Sequence, residues 1–207
     1  MIKLYHITHI RNLPSIIEHG GIFCDNGINS QNVEHFGIAH RHIKERRERK
    51  IVPIVPGGTL ADFVPFYFAP RSPMLYAIHK GFVESYREGE EAVLHLVISV
   101  EQVLSKKISY VFTDGHAEIA ISRFYNDTGE LNKIDWEIMK AAYWNDTEQD
   151  NDRSRRRQAE FLVHRFCPWN PIEQIGVINN KMADSVNDIL SSFEKYPEVM
   201  VQKKWYY

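Results

Sequence analysis

Residue types able to do chemistry gather at four places in this chain. Tyr5-His6-Ile7-Thr8-His9 alternates as a strand does, so His6 and Thr8 share a face and offer an imidazole and a hydroxyl to one surface. Phe63-Val-Pro-Phe-Tyr-Phe-Ala-Pro-Arg-Ser-Pro-Met-Leu-Tyr76 runs an aromatic-rich strand into a Ser-Pro helix start. Ring faces on such a strand suit a planar ring, the free N–H groups of a helix start suit an anion, and the two together suit a nucleotide. Arg46-Arg47 sit in a basic helical segment, and Glu160 stands between the run Arg155-Arg156-Arg157 and an apolar strand. A single acid entering a buried strand from a long loop is well placed to act on a substrate held elsewhere on the sheet. His116 lies in that loop, as do Trp136 and Trp144, which would either stack bases or pin the loop to the body.

Each feature also has a plainer reading. A strand histidine is often a structural hydrogen-bond partner, Phe63, Phe66, Phe68 and Tyr76 could be core, Arg46-Arg47 a solvated face, Glu160 a salt-bridge partner and His116 a turn residue. The aromatic strand carries more rings and prolines than a core strand needs, which favours a pocket wall. Several chemistries are excluded by motif: the chain has no GxGxxG after a strand, no GxxxxGK[ST], no GxSxG and no HExxH. Its ten histidines are dispersed, without a carboxylate cluster beside them, so no metal is expected.

The elements that must position these residues read as follows. Strands are expected at Lys3 to Ile7, Ile22 to Cys24, along the aromatic stretch, and at Ala92 to Val100, Ile108 to Phe112, Ala159 to Val163, Ile175 to Ile178 and Val199 to Trp205. Helices are expected at Pro14 to His19, His40 to Lys50, Ser72 to about His79, Ile134 to Ala142 and Met182 to Tyr196. Asp25 to Glu34 and Val52 to Leu60 read as loops, and residues 113–159 as one long connection, either functional or without fixed structure apart from the helix within it. With 207 residues, 43% hydrophobic and 25% charged, and no internal repeat, the chain reads as one α+β domain over 1–207 with a mixed sheet. A net charge of −2 gives no global pull toward nucleic acid, so a polyanion must be met by local basic patches. Cys24 and Cys167 show no CxxC spacing and read as reduced thiols; without a leader or membrane span, the expected location is cytoplasmic.

Taken together, these motifs resemble the DarT family of bacterial DNA ADP-ribosyltransferase toxins. The likeness is carried by Tyr5-His-Ile-Thr-His9, Asn12-Leu13 with Gly20-Gly21, His42-Ile-Lys-Glu-Arg-Arg47, the Val64-to-Tyr76 string, Val111-Phe-Thr-Asp114, Arg157-Gln-Ala-Glu-Phe-Leu-Val163 and Trp205-Tyr-Tyr207, and so spans essentially the whole chain. A more distant likeness to poly(ADP-ribose) polymerases appears in His6, Ser72, Tyr76 and the late glutamate. The resemblance implies a split-sheet ADP-ribosyltransferase fold with peripheral helices, NAD as co-substrate, no metal, and transfer of ADP-ribose to a thymine ring nitrogen in single-stranded DNA. It implies Glu160 and Arg47 as catalytic residues and His6, Thr8, Tyr67, Arg71, Ser72, Met74 and Tyr76 around NAD. His116, Trp144, Arg155, Arg157 and Arg46 would meet the DNA, and a DarG-like macrodomain antitoxin would remove the modification. Competing expectations are an NAD-dependent ADP-ribosyltransferase or phosphotransferase acting on RNA or protein, and a non-catalytic single-strand-binding module.

Overall fold

The computed structural model describes residues 1–193 and 196–207. In chain order the elements are β1 (Lys3–His9), α1 (Leu13–Glu18), β2 (Gly21–Phe23), α2 (Asp25–Gln31), α3 (Arg41–Arg49), β3 (Phe63–Tyr67), α4 (Pro73–His79), β4 (Val93–Ser99), α5 (Val100–Ser105), β5 (Tyr110–Thr113), β6 (Phe124–Tyr125), α6 (Trp136–Lys140), α7 (Arg153–Arg157), β7 (Glu160–His164), β8 (Phe166–Pro168), β9 (Gln174–Val177), α8 (Asn180–Leu190) and β10 (Glu198–Val201). The main sheet runs β10-β9-β4-β1-β3-β7-β5-β6, and β2 pairs with β8 separately. All these pairings are antiparallel except β10 on β9, so the sheet is mixed, as expected.

The sheet is split at one seam. β1 aligns with β4 along its full length, from Lys3 opposite Ser99 to His9 opposite Val93, and β3 aligns with β7 from Phe63 to Tyr67. Between β1 and β3, in contrast, only Tyr5 and Tyr67 face each other. Pro65 explains the break: it brings no N–H to the strand edge, and its carbonyl accepts from His6 Nδ1 at 2.8 Å instead of from a backbone amide. The two half-sheets are therefore joined in register only at Tyr5 and Tyr67, with a cavity lined by Phe63, Pro65 and residues 6–8 on the Pro65 side of that pair.

Central β4, Val-Leu-His-Leu-Val-Ile-Ser, is buried at every position, as a β-branched run between two neighbours should be. Leu4, Phe66, Leu96, Phe161 and Val186 share one apolar body, while Leu75, Ile78 and Tyr206 share another under α4. Phe66 and Phe68 are 0% and 5% exposed, so these two rings are core rather than pocket wall. The Tyr206 hydroxyl donates to the Val93 and Gly176 carbonyls at 2.8 and 3.1 Å, fastening the chain's last residues to β4 and β9.

Several elements depart from the sequence reading. Asp25–Gln31 is a helix, started by the Cys24 thiol accepting from Gly27 N and ended by Asn32 in the left-handed region, because caps at both ends offset a weak intrinsic preference. α5 follows β4 directly, with Ser99 as its N-cap. The amphipathic α8 ends at Leu190, and part of the expected stretch to Tyr196 falls on 194 and 195, outside the described residues. The closing strand stops at Val201 and a single helical turn carries Trp205 onto Gly176. The connection from β5 to β7, two neighbouring strands, holds β6, α6 and α7.

Candidate active site

Two cavities meet at the seam. The larger, about 170 Å³, lies between α1, α2, α3 and the β1–β3 edge, and its wall includes His6, Thr8, Cys24, Arg47, Tyr67 and Met74. The second, about 160 Å³, shares Ile43, Arg47, Tyr67 and Met74 with the first and adds His40, Pro73, Ala77, His116, Gln158 and Glu160. Arg47 and Tyr67 thus stand in the partition.

The residues reach these positions for local reasons. His6 donates from Nδ1 to the Pro65 carbonyl, which leaves Nε2 as a bare acceptor; burial lowers the imidazole's pKa, only partly offset by that carbonyl, so the ring is neutral. Thr8 lies two residues on and is 3% exposed, with Oγ1 accepting from Asn12 Nδ2 at 3.0 Å. Asn12 also clamps Phe36 through both its amide atoms, at 2.7 and 3.0 Å, so a residue without a role in the sequence reading fixes both the wall and the strap after α2.

Glu160 begins β7 opposite Tyr67 and is 4% exposed. Its Oε2 accepts from Arg47 Nη1 at 2.8 Å and its Oε1 from the Ala117 N–H at 3.3 Å, while its own N–H donates to Thr113 Oγ1 at 3.2 Å. Arg47 is 8% exposed, and its Nη2 has no partner among the described residues. Burial pulls the guanidinium's pKa down, but the adjacent Glu160 carboxylate outweighs that and leaves it raised. Burial pushes the Tyr67 phenol up, with Glu160 adding to the effect.

The other expected site residues separate into two groups. His116 lines the second cavity, its Nδ1 accepting from Glu118 N at 3.2 Å. Arg46 on α3 pairs with Glu118 at 2.8 Å and keeps a largely exposed side chain. Arg71, Ser72 and Tyr76 stand outside both cavity walls. Arg71 Nε donates to the Tyr206 carbonyl at 2.9 Å, Ser72 is the N-cap of α4 and accepts from Leu75 N at 3.1 Å, and Tyr76 packs on Tyr207 and Trp144. Trp144 is half-buried against the main core, so it pins the loop.

Two arginines expected to meet DNA have partners within the fold. Arg157 is 4% exposed and donates to the Arg71 carbonyl at 2.8 Å, and Arg155 spends its guanidinium on Asp152, Asp114 and Ser122. Acids brought close by the loop occupy the Arg155 fork, whereas the Arg157 guanidinium is buried against the Arg71 carbonyl and Met139 Sδ. Among the described residues no group of three His, Cys, Asp or Glu side chains could hold a metal ion.

A split sheet with a buried arginine–glutamate pair between two cavities at its seam has the architecture of an ADP-ribosyltransferase. A family model described as ssDNA thymidine ADP-ribosyltransferase, DarT, matches residues 5–207. The chain belongs to that family. It is 43% identical over 206 residues to a DNA ADP-ribosyl transferase of Thermus sp. (strain 2.9), covering 99% of this chain and 95% of the relative. Among solved structures, Thermus sp. 2.9 DarT in complex with ADP-ribosylated ssDNA matches with TM-score 0.93 at 42% identity, over 100% of this chain and 96% of that one. The same protein in complex with NAD+ matches with TM-score 0.89 at 40% identity, over 100% and 98%.

Proposed function

We propose that this protein transfers ADP-ribose from NAD to thymine in single-stranded DNA, with NAD in the larger cavity, the acceptor base in the second, and Glu160 and Arg47 acting between them. The observation that carries this reading is the buried Arg47–Glu160 pair at the junction of the two spaces, where Arg47 lines both and Glu160 lines the second. The residues present fit NAD: an open cleft offers aromatic and apolar wall, the acceptor Nε2 of His6 and an unpartnered buried guanidinium nitrogen. When bound, NAD supplies a ribose whose bond to nicotinamide breaks with positive charge growing on the sugar. Glu160 accepts from the ribose hydroxyls and stabilises that charge, most strongly once bound substrate displaces water from the cleft, and losing such a group costs roughly 10²–10³ in rate. Thr8, Tyr67 and Met74 shape the wall that holds the ring.

Arg47 works as a cation throughout. A guanidinium does not give up its proton, least of all beside a carboxylate that raises its pKa further. Its free Nη2 donates to the negative charge that forms on the base as the imide proton departs to Glu160 or to water. A paired base cannot present that edge, which is why the acceptor is single-stranded. Arg46 lies beside the second cavity's α3 wall and supplies attraction for the strand's phosphates.

Residues 113–159 serve as the base-reading segment of one catalytic unit spanning 1–207. No helix among the described residues is long and apolar enough to cross a membrane, and NAD and single-stranded DNA meet in the cytoplasm, where we place the activity. An enzyme that modifies DNA freely would poison its host, so its partner is a macrodomain antitoxin that removes the adduct.

The test is to incubate the protein with NAD and thymine-containing single-stranded oligonucleotides and weigh the DNA, beside Glu160→Ala and a thymine-free control. The expected result is an ADP-ribose adduct that requires both thymine and Glu160. NAD consumed without DNA modification would redirect the reading to RNA or protein acceptors, and no turnover would leave a binding module.

A further inference from the structure

We infer that Arg155 is a positioning residue for the acceptor side of the reaction, clamping residues 113–123 in the shape that presents His116 to the second cavity and the Ala117 N–H to Glu160. The inference rests on reading that cavity as the acceptor chamber.

The guanidinium is threaded through the segment. Nε and Nη2 bind the two oxygens of Asp152 at 2.6 and 2.7 Å, and Nη1 reaches both Asp114 Oδ1 and Ser122 Oγ at 3.1 Å. Asp114 and Ser122 flank the excursion, so a single planar fork ties its two ends together. Asp114 is itself held by Arg123 N at 3.0 Å and the Tyr125 hydroxyl at 3.3 Å. The Arg155 carbonyl accepts from His116 N at 3.0 Å, so the same residue also grips the tip through its backbone. Gly115 lies directly over the guanidinium, where any Cβ would overlap Nη1.

This clamp leads straight to Glu160. Gly115 O accepts from Thr113 Oγ1 at 2.7 Å, Thr113 Oγ1 accepts from Glu160 N at 3.2 Å, and Ala117 N donates to Glu160 Oε1 at 3.3 Å. A change in the path of 114–117 therefore moves the donor on the carboxylate and the imidazole in the chamber together. Two aspartates against the guanidinium also repel a phosphate, which argues against a direct DNA contact at Arg155.

The experiment compares Arg155→Met, Arg155→Lys and Gly115→Ala with the unaltered protein. It measures the transfer rate to a thymine oligonucleotide, KM for NAD, and oligonucleotide binding across a salt series. Lysine keeps the charge but lacks the fork, so a positioning role predicts that both Arg155 variants lose about 10–100-fold in kcat. KM for NAD should hold, showing an intact fold, and the salt dependence of DNA binding should keep its slope. Gly115→Ala, which disturbs the clamp without touching its charge, should show the same kcat-selective loss. Full rescue by lysine, with the salt slope in Arg155→Met shallower by about 0.7, would make Arg155 a phosphate ligand and overturn the inference. Undiminished transfer by Arg155→Met would overturn it alone, whereas an unaltered protein that leaves thymine unmodified would overturn the acceptor reading and this inference with it.

Discussion

Two arginine–carboxylate clusters in this molecule look alike in sequence and differ in what they leave unfinished. In the pair that joins α3 to β7, Arg47 meets Glu160 with side chains 10% and 5% exposed; Arg47 lines both cavities, and its buried Nη2 has no partner among the described residues. In the α7 cluster, Arg155 and Arg156 meet Asp114, Asp135, Asp150 and Asp152 through several links, and the acids use up the forks. Burying a cation with an unspent donor is costly, and Arg47 stands where a ligand in either cavity would offset that cost. The α7 cluster is complete in itself and holds a loop. Spare hydrogen-bonding capacity at a cavity separates the two, where charge and position in sequence do not.

The comparison breaks most visibly at the buried pair. Removing either partner strands the other charge, so Arg47→Met and Glu160→Gln should each cost about 3–5 kcal/mol of stability as well as activity, whereas the double variant should regain most of the stability and none of the activity. Denaturant unfolding with a transfer assay on the same preparations reads both. A double variant as unstable as the singles would mean that the pair stabilises the fold rather than tolerating a strained, ligand-ready arrangement.

Acid separates the clusters next. Hydrogen bonds from Arg155 hold the Asp152 carboxyl below its ordinary value of 3.8, so the network's stabilisation is present above that pH and fades only as pH falls further, through the folded-state value. His95, fully buried between Tyr5, Trp205 and Tyr206, behaves differently: burial takes it from 6.5 to about 4. It is neutral in the fold, and the unfolded chain binds the proton first. His95 should therefore contribute a loss of roughly 3 kcal/mol as pH falls from about 6.5 toward 4, with the α7 network still intact. Unfolding curves at pH 7 and 4.5 for the unaltered protein and His95→Gln check this, and an equal decline in the variant would remove His95 as the cause.

What could be read from the sequence follows the range of the interactions involved. Strand alternation placed His6 and Thr8 on one face, because period acts over a few residues, whereas Tyr67 and Met74, which line the larger cavity with them, came from the family likeness. That Arg47 and Glu160, far apart in sequence, would meet came from the family likeness; no local pattern encodes it. The roles of Asn12, Gly115 and the Ala117 N–H stayed hidden, since each depends on a contact made after the chain has folded. The contacts that Arg155 and Arg157 make within the fold were not legible because a basic run shows its charges and not their partners. The acidic stretch from Asn145 to Asp152 was the available signal: opposite runs separated by a short span tend to satisfy each other.

Arg46 gives the finest cut through the comparison. It shares α3 with Arg47 and, like Arg155, pairs with an acid, yet its side chain is 57% exposed and its one carboxylate partner is Glu118. The Glu118 end is only 11% exposed and one of its carboxylate oxygens is already without a partner among the described residues, so Arg46→Gln should lower stability by about 1–3 kcal/mol. Its guanidinium is free to exchange Glu118 for a phosphate when a strand arrives, with a gain in counterion release that depends on salt. Arg46→Gln should therefore weaken oligonucleotide binding similarly for all sequences and make its salt dependence shallower by about 0.7, whereas Arg155→Met removes the same charge and keeps the slope. Equal slopes in the two variants would mean that saturation of an arginine by neighbouring acids does not decide whether it meets DNA, and the distinction between the two kinds of cluster would fail at the surface even if it held in the core.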